Sequence, residues 1–309
     1  SRGFHALRCL AQEARSGLGV LGAMAVRIFG SGLRQGGAVR PVQPKPAASV
    51  VLVRPGSEEP VEVYLIRRNR GMRFLGGFYA FPGGKVDEAD LAPEALARCR
   101  GITPETANEG SSTWDGLPAI AFWVTAIREL FEETGILMAC DAAGIPIDIS
   151  SPSVAAQVEG WRRALVNKET ALTPLLAGAG WFYDLRLLRY LSHFITPAAS
   201  PIRFTARFFL APVPPGQAPR LILEETSEGF WIGAHEGYRR FQAGELAMAE
   251  PAEYALGYLA QFDACETLWQ AHADGRHKFH GIVDRIEFYG EGYDWATGTW
   301  TFNKPPWHP

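Results

Sequence analysis

The run Arg128-Glu129-Leu130-Phe131-Glu132-Glu133-Thr134-Gly135-Ile136-Leu137 constrains this chain more than any other stretch. Helical spacing puts Glu129, Glu132 and Glu133 at i, i+3 and i+4, so three carboxylates share one face. Like charges that close repel one another. A divalent cation relieves the repulsion, because Mg²⁺ and Mn²⁺ favour hard oxygen ligands. The bland alternative is a solvated acidic face, the fate of most such clusters. Gly135 suits the left-handed residue that ends a helix. Pro118 suits the first turn of that helix, and Phe122, Trp123, Ala126, Ile127 and Leu130 recur at the spacing of a core-facing stripe.

Upstream lies Phe81-Pro82-Gly83-Gly84-Lys85. Its glycines suit a loop where backbone approaches a ligand closely. Together these pieces resemble the Nudix hydrolase signature, G-x5-E-x7-R-E-U-x-E-E-x-G-U with U apolar. Arg128, Glu129, Leu130, Glu132, Glu133, Gly135 and Ile136 fill every fixed position of its second half. The first half begins at Gly84, but its glutamate falls on Asp90, one methylene shorter. Asp90 and Arg128 are then separated by 37 residues rather than seven. The motif is split by an insertion, Leu91 to about Pro118. In this it resembles the branch that includes the peroxisomal coenzyme A diphosphatases. Tyr64 to Arg70, Arg73-Phe74, Phe78 to Gly84, Phe194 to Pro197 and Arg203 to Ala211 are also similar to that branch. The likeness covers 47–250.

The resemblance implies an α/β fold, an α/β/α sandwich around a mixed sheet. It implies Glu129 and Glu133 as principal metal ligands, with Glu132 sharing a second ion, and Mg²⁺ or Mn²⁺ as cofactor. The reaction implied is hydrolysis of a pyrophosphate that links a nucleoside to another group. Coenzyme A or an acyl-coenzyme A is the leading substrate. ADP-ribose, NADH or a dinucleotide stays open, as does a non-catalytic nucleotide-binding module. Three intact glutamates argue against the last.

Arg128 has two readings, a phosphate contact or an ion pair that holds the glutamates. Its offset of one residue from Glu129 favours the pair. Arg67, Arg68, Arg70 and Arg73 could clamp phosphates bidentately, or they form a solvated hairpin. Gly83 and Gly84 complete the candidate substrate-binding set with Phe78. Phe78 and Tyr79 could stack on adenine, although core packing is the commoner fate of such rings. Glu224, Glu225 and Glu228 are candidates for a late acidic base or ligand. His193 and His235 read as structural.

A chain of 309 residues with 47% hydrophobic and 20% charged content buries a sizeable core. A net charge of −3 gives no reason to expect nucleic-acid binding, and no segment reads as a membrane span. Cys9, Cys99, Cys140 and Cys265 form no metal or redox pattern, which fits a reducing compartment. The expectation is therefore cytoplasmic. Residues 1–46 carry seven Lys or Arg against one acid. They read as a flexible or partly helical tail, with an organellar transit peptide as the other reading.

Pro41, Pro44 and Pro46 mark a linker into the domain at 47–250. Strands are expected at Ala48–Arg54, Val61–Arg67, Phe78–Phe81, Leu185–Ile195, Arg203–Ala211 and Gly229–Ile232. Helices are expected at Pro93–Cys99, up to Thr134, Val154–Val166, Ala234–Ala243 and Ala252–His272. Residues 251–309 form a C-terminal extension. Its aromatic end, Lys278 to Pro309, either packs over the domain or makes a homodimer contact, the latter being favoured.

Overall fold

The computed structural model describes residues 42–72, 75–108, 115–196, 202–221 and 226–272, with the backbone of 293–294 and 299–300. Residues 1–41 of the N-terminal tail lie outside this range, as does the aromatic C-terminal segment but for those few residues; Lys45 and Pro46, expected in the tail, belong to the first strand, where they pair with Phe204 and Thr205.

Strand β1 (Lys45–Arg54) is the centre of the molecule. Its β-branched run is buried on both faces, as a central strand between two helical layers requires. Strand β2 (Glu62–Arg68) pairs antiparallel with the far end of β1, Val53 opposite Val63. Strand β3 (Tyr79–Ala80) pairs with β2, and β4 (Gly83–Lys85) pairs antiparallel with the near half of β1. Sequence reading expected a loop at Gly83-Gly84. Hydrogen bonding to β1, with Gly84 opposite Ala48 and Gly83 opposite Ser49, makes it a strand instead.

The insertion is more structured than its composition suggests. A 3₁₀ turn (Glu88–Asp90) precedes helix α1 (Pro93–Ala97), strand β5 (Cys99–Arg100) and helix α2 (Pro104–Asn108). Helix α3 (Ala119–Thr134) follows, with Pro118 at its N-cap. Gly135 ends it at φ 75°, its N–H donating to Phe131 O at 2.8 Å. Nearly every residue of α3 is buried except around the glutamates.

Strand β6 (Ala139–Cys140), helix α4 (Pro152–Val166), helix α5 (Leu172–Gly178) and strand β7 (Phe182–Asp184) come next. Strands β5, β7 and β6 make a small second sheet. Strand β8 (Arg189–Ile195) starts four residues later than expected, because Leu185–Leu187 forms a 3₁₀ turn. Asp184 holds that turn through both carboxylate oxygens, each 2.7 Å from the Arg186 guanidinium. Strand β9 (Phe204–Pro212) runs parallel to β1, and β10 (Thr226–Gly233) pairs with β2.

The main sheet, seven-stranded among the described residues, has the order β10-β2-β1-β9-β8, with β3 and β4 attached to β2 and β1. Its pleat sorts the core. Ala48, Val50, Leu52, Tyr64, Ile66 and Phe209 face α3. Val51, Val53, Val63, Leu65, Phe208 and Leu210 face the C-terminal helices. Those are α6 (Ala234–Gln242), α7 (Glu250–Leu259) and α8 (Cys265–Ala271). The expected single helix Ala252–His272 is thus two. A straight helix would hold Tyr258 and His272 about 21 Å apart. The break at 260–264 instead brings the buried Tyr258 hydroxyl within 2.8 Å of His272 Nε2. The architecture is the expected α/β/α sandwich.

Candidate active site

Arg128 organises the site. It is 5% exposed, and all three of its guanidinium nitrogens donate. Nε and Nη2 fork onto Asp90 Oδ1 and Oδ2, both at 2.8 Å. Nη2 also reaches the Lys85 carbonyl at 2.8 Å. Nη1 donates to Glu129 Oε1 at 2.8 Å and Glu132 Oε1 at 3.2 Å. Burial works against this cation. Glu129, Asp90 and Glu132 more than offset it, so its pKa stands well above the ordinary guanidinium value.

Asp90, the shorter stand-in for the signature's glutamate, is 2% exposed. Besides Arg128 it has Thr125 Oγ1 at 2.8 Å and the Asp87 N–H at 3.0 Å on Oδ2. It faces Arg128 and Thr125 from beneath α3. Its role in this geometry is to tie the first half of the split motif to the helix that carries the second.

The two glycines are seats for glutamates. A Cβ on Gly84 would overlap the Glu129 carboxylate. The Gly83 N–H donates to Glu133 Oε2 at 2.8 Å, and a Cβ on Gly83 would run into Ala48 and Ser49 of β1. Close approach is thus the reason for both glycines, but the approaching groups are the protein's own.

Burial, offset by Arg128 and reinforced by Glu132, pushes the Glu129 carboxyl up to about 7. Burial also raises Glu132, again against Arg128. Both shifts record chiefly the cost of burying a carboxylate, which the Arg128 guanidinium only partly offsets. Among the described residues no group of three or more His, Cys, Asp or Glu is arranged to hold a metal ion. Glu129 and Glu132 turn to Arg128, and Glu133 turns to Gly83. The donor chemistry nevertheless fits a hard divalent cation: three carboxylates on one helix face, with excess negative charge.

The candidate substrate residues separate by pleat. Tyr64 and Ile66 face α3, and alternation places Arg68 on that same face. Its backbone pairs with Phe78, Arg68 N–H to Phe78 O at 2.9 Å. Arg67 points to the opposite face. There it meets Glu228 Oε2 at 3.4 Å and the Gly77 carbonyl at 3.3 Å, and it lies over the Tyr79 ring. Glu228 also receives the Tyr79 hydroxyl at 3.4 Å. Arg67 and Glu228 are therefore not brought to the glutamates. Arg73, Glu224 and Glu225 lie outside the described residues. His193 is buried against Thr205 Oγ1 at 2.7 Å, a structural placement.

Sequence reasoning overlooked Thr125 and Arg162. Arg162, on α4, is 1% exposed and donates from Nε to the Glu132 carbonyl at 2.9 Å. No local pattern marks it, since its partner is a main-chain atom 30 residues away.

The sheet order, the helix seated on Gly83-Gly84 and the Arg128-centred carboxylates define a Nudix-type hydrolase. The model of the NUDT19 Nudix domain matches residues 44–259, most of the chain, and the protein belongs to the Nudix hydrolase family. It is similar to acyl-coenzyme A diphosphatase NUDT19 of Gallus gallus, 27% identical over 272 residues, 74% of this chain and 71% of that protein. The Homo sapiens protein of the same name is 26% identical over 253 residues, 72% of this chain and 67% of that one. A crystal structure of a Nudix hydrolase from Alicyclobacillus acidocaldarius superposes with a TM-score of 0.63 at 33% identity. That match covers 74% of this chain and 96% of the other.

Proposed function

We propose that this hydrolase is a metal-dependent diphosphatase acting on coenzyme A or acyl-coenzyme A. Water cleaves the P–O–P bond, giving 3′,5′-ADP and 4′-phosphopantetheine or its acyl form. The observation that carries this reading is the Glu129–Glu132–Glu133 face on its glycine seat, in a chain whose relatives are named acyl-coenzyme A diphosphatases.

Glu129 and Glu133 would be the principal ligands of Mg²⁺ or Mn²⁺, with Glu132 sharing a second ion. Such a cation would neutralise phosphate oxygens and lower the pKa of a bound water. Arg128 keeps Glu129 and Glu132 in place and offsets part of their charge. Asp90 holds Arg128. Arg68 and Phe78, on the α3 side of the sheet edge, are the residues for a phosphate and for the adenine ring. Arg73 is a further phosphate donor in this reading.

Glu133→Gln keeps the shape and hydrogen-bonding capacity of the side chain but removes its charge. Turnover of coenzyme A with Mg²⁺ should fall by about 10²-fold or more, with an unchanged circular dichroism spectrum. A fully active variant would remove Glu133 from the site.

A further inference from the structure

The last turn of α3 carries Glu132 and Glu133, and its end is held by groups from outside the helix. A helix leaves its final carbonyls without intrahelical partners. Phe131 O still has its ordinary i→i−4 bond, from the cap Gly135 N–H at 2.8 Å, whereas Thr134 O accepts from outside the helix, from Arg220 N–H at 2.7 Å. The remaining contact is a side chain. Arg162 Nε donates to Glu132 O at 2.9 Å.

Arg162 is an unusual choice for a place that is 1% exposed. Its Nη2 has no hydrogen-bond partner among the described residues. Burial lowers its pKa, Arg220 adds to the fall, and Glu159, Tyr64 and Glu133 oppose it. A buried cation with an unfilled donor costs stability, and an apolar side chain of similar size often packs as well or better. What an apolar residue cannot do is hold the Glu132 carbonyl and present positive charge to a helix C-terminus. Packing is also close: a Cβ on Gly135 would sit 3.1 Å from Arg162 Nη1. Glycine at 135 thus permits both the left-handed cap and the approach of the guanidinium.

We infer that Arg162 is a positioning residue for the glutamate face, fixing the last turn of α3 and so the direction in which Glu132 and Glu133 project. The inference rests on the reading of those glutamates as the metal-binding face. The hydrogen bond that Arg162 makes with that turn is to a main-chain carbonyl. It acts through the backbone of the helix.

The test compares Arg162→Met and Arg162→Lys with the unaltered chain in three measurements. These are kcat and KM on coenzyme A with Mg²⁺, hydrogen exchange of amides 131–136, and the urea unfolding midpoint. For Arg162→Met, exchange in the last turn should speed up about tenfold. Its kcat should fall about 10²-fold, the scale of a misplacement near 1 Å, with little change in KM. Its urea midpoint should hold or rise. Arg162→Lys, which keeps the charge, should recover part of kcat. Unchanged exchange, unchanged kcat, or a rise in KM alone would each overturn the inference. If the unaltered chain does not hydrolyse coenzyme A, the proposed substrate falls, and the exchange measurement alone decides the role of Arg162.

Discussion

Arg128 and Asp90 show how far a residue's role depends on distance along the chain. The position of Arg128, one step before Glu129, favoured an ion pair over a phosphate contact, and its nitrogens do lie on Glu129 and Glu132. Its stronger partner was not legible, because Asp90 lies 38 positions away across the insertion. A carboxylate with 2% exposure and Arg128, Thr125 and a main-chain N–H around it serves as the buried counter-charge of Arg128. Asp90→Asn should cost about 3 kcal/mol, because it leaves a buried guanidinium short of its counter-charge. Urea unfolding measures that loss, and an unchanged midpoint would show that Arg128 finds its balance elsewhere. Arg67 and Arg68 teach a related lesson. As a run of arginines they read as one clamp, yet adjacent residues on a strand point to opposite faces. Arg67 is thereby committed to Glu228.

Elements with a long periodic signal were readable: the central strand β1, the glutamate helix α3 with its glycine cap, α4 and β9. Elements defined by partners rather than by their own residues were not. Strand β4 is three residues long and exists because β1 offers it hydrogen bonds. The small sheet joins two-residue strands at 99–100 and 139–140 through β7, and no local pattern announces such pairs. The junction of β4 with α3 is where the fold makes the site. A methyl group at Gly84 would displace the Glu129 carboxylate. Gly84→Ala should therefore lower kcat by about tenfold or more, while costing about 1–3 kcal/mol of stability through overpacking. Loss of stability with full turnover would mean that Glu129 can serve from another position.

At the scale of the whole molecule, β1 separates two helical layers, and each layer has its own task. The C-terminal helices cover one face of the sheet with apolar side chains. The other face carries α3, and the split signature closes there through Arg128 and Asp90 rather than through chain continuity. The fold class was legible because the signature's second half is intact. The closure was not, because it depends on how the insertion folds. The most direct measurement is a hydrolysis panel of coenzyme A, an acyl-coenzyme A, ADP-ribose, NADH and a dinucleotide, each with Mg²⁺, Mn²⁺ or chelator. Coenzyme A or its acyl ester should be turned over with the highest kcat/KM, to 3′,5′-ADP, and only with a divalent cation present. Faster hydrolysis of ADP-ribose or NADH, or full activity in chelator, would contradict the proposed function.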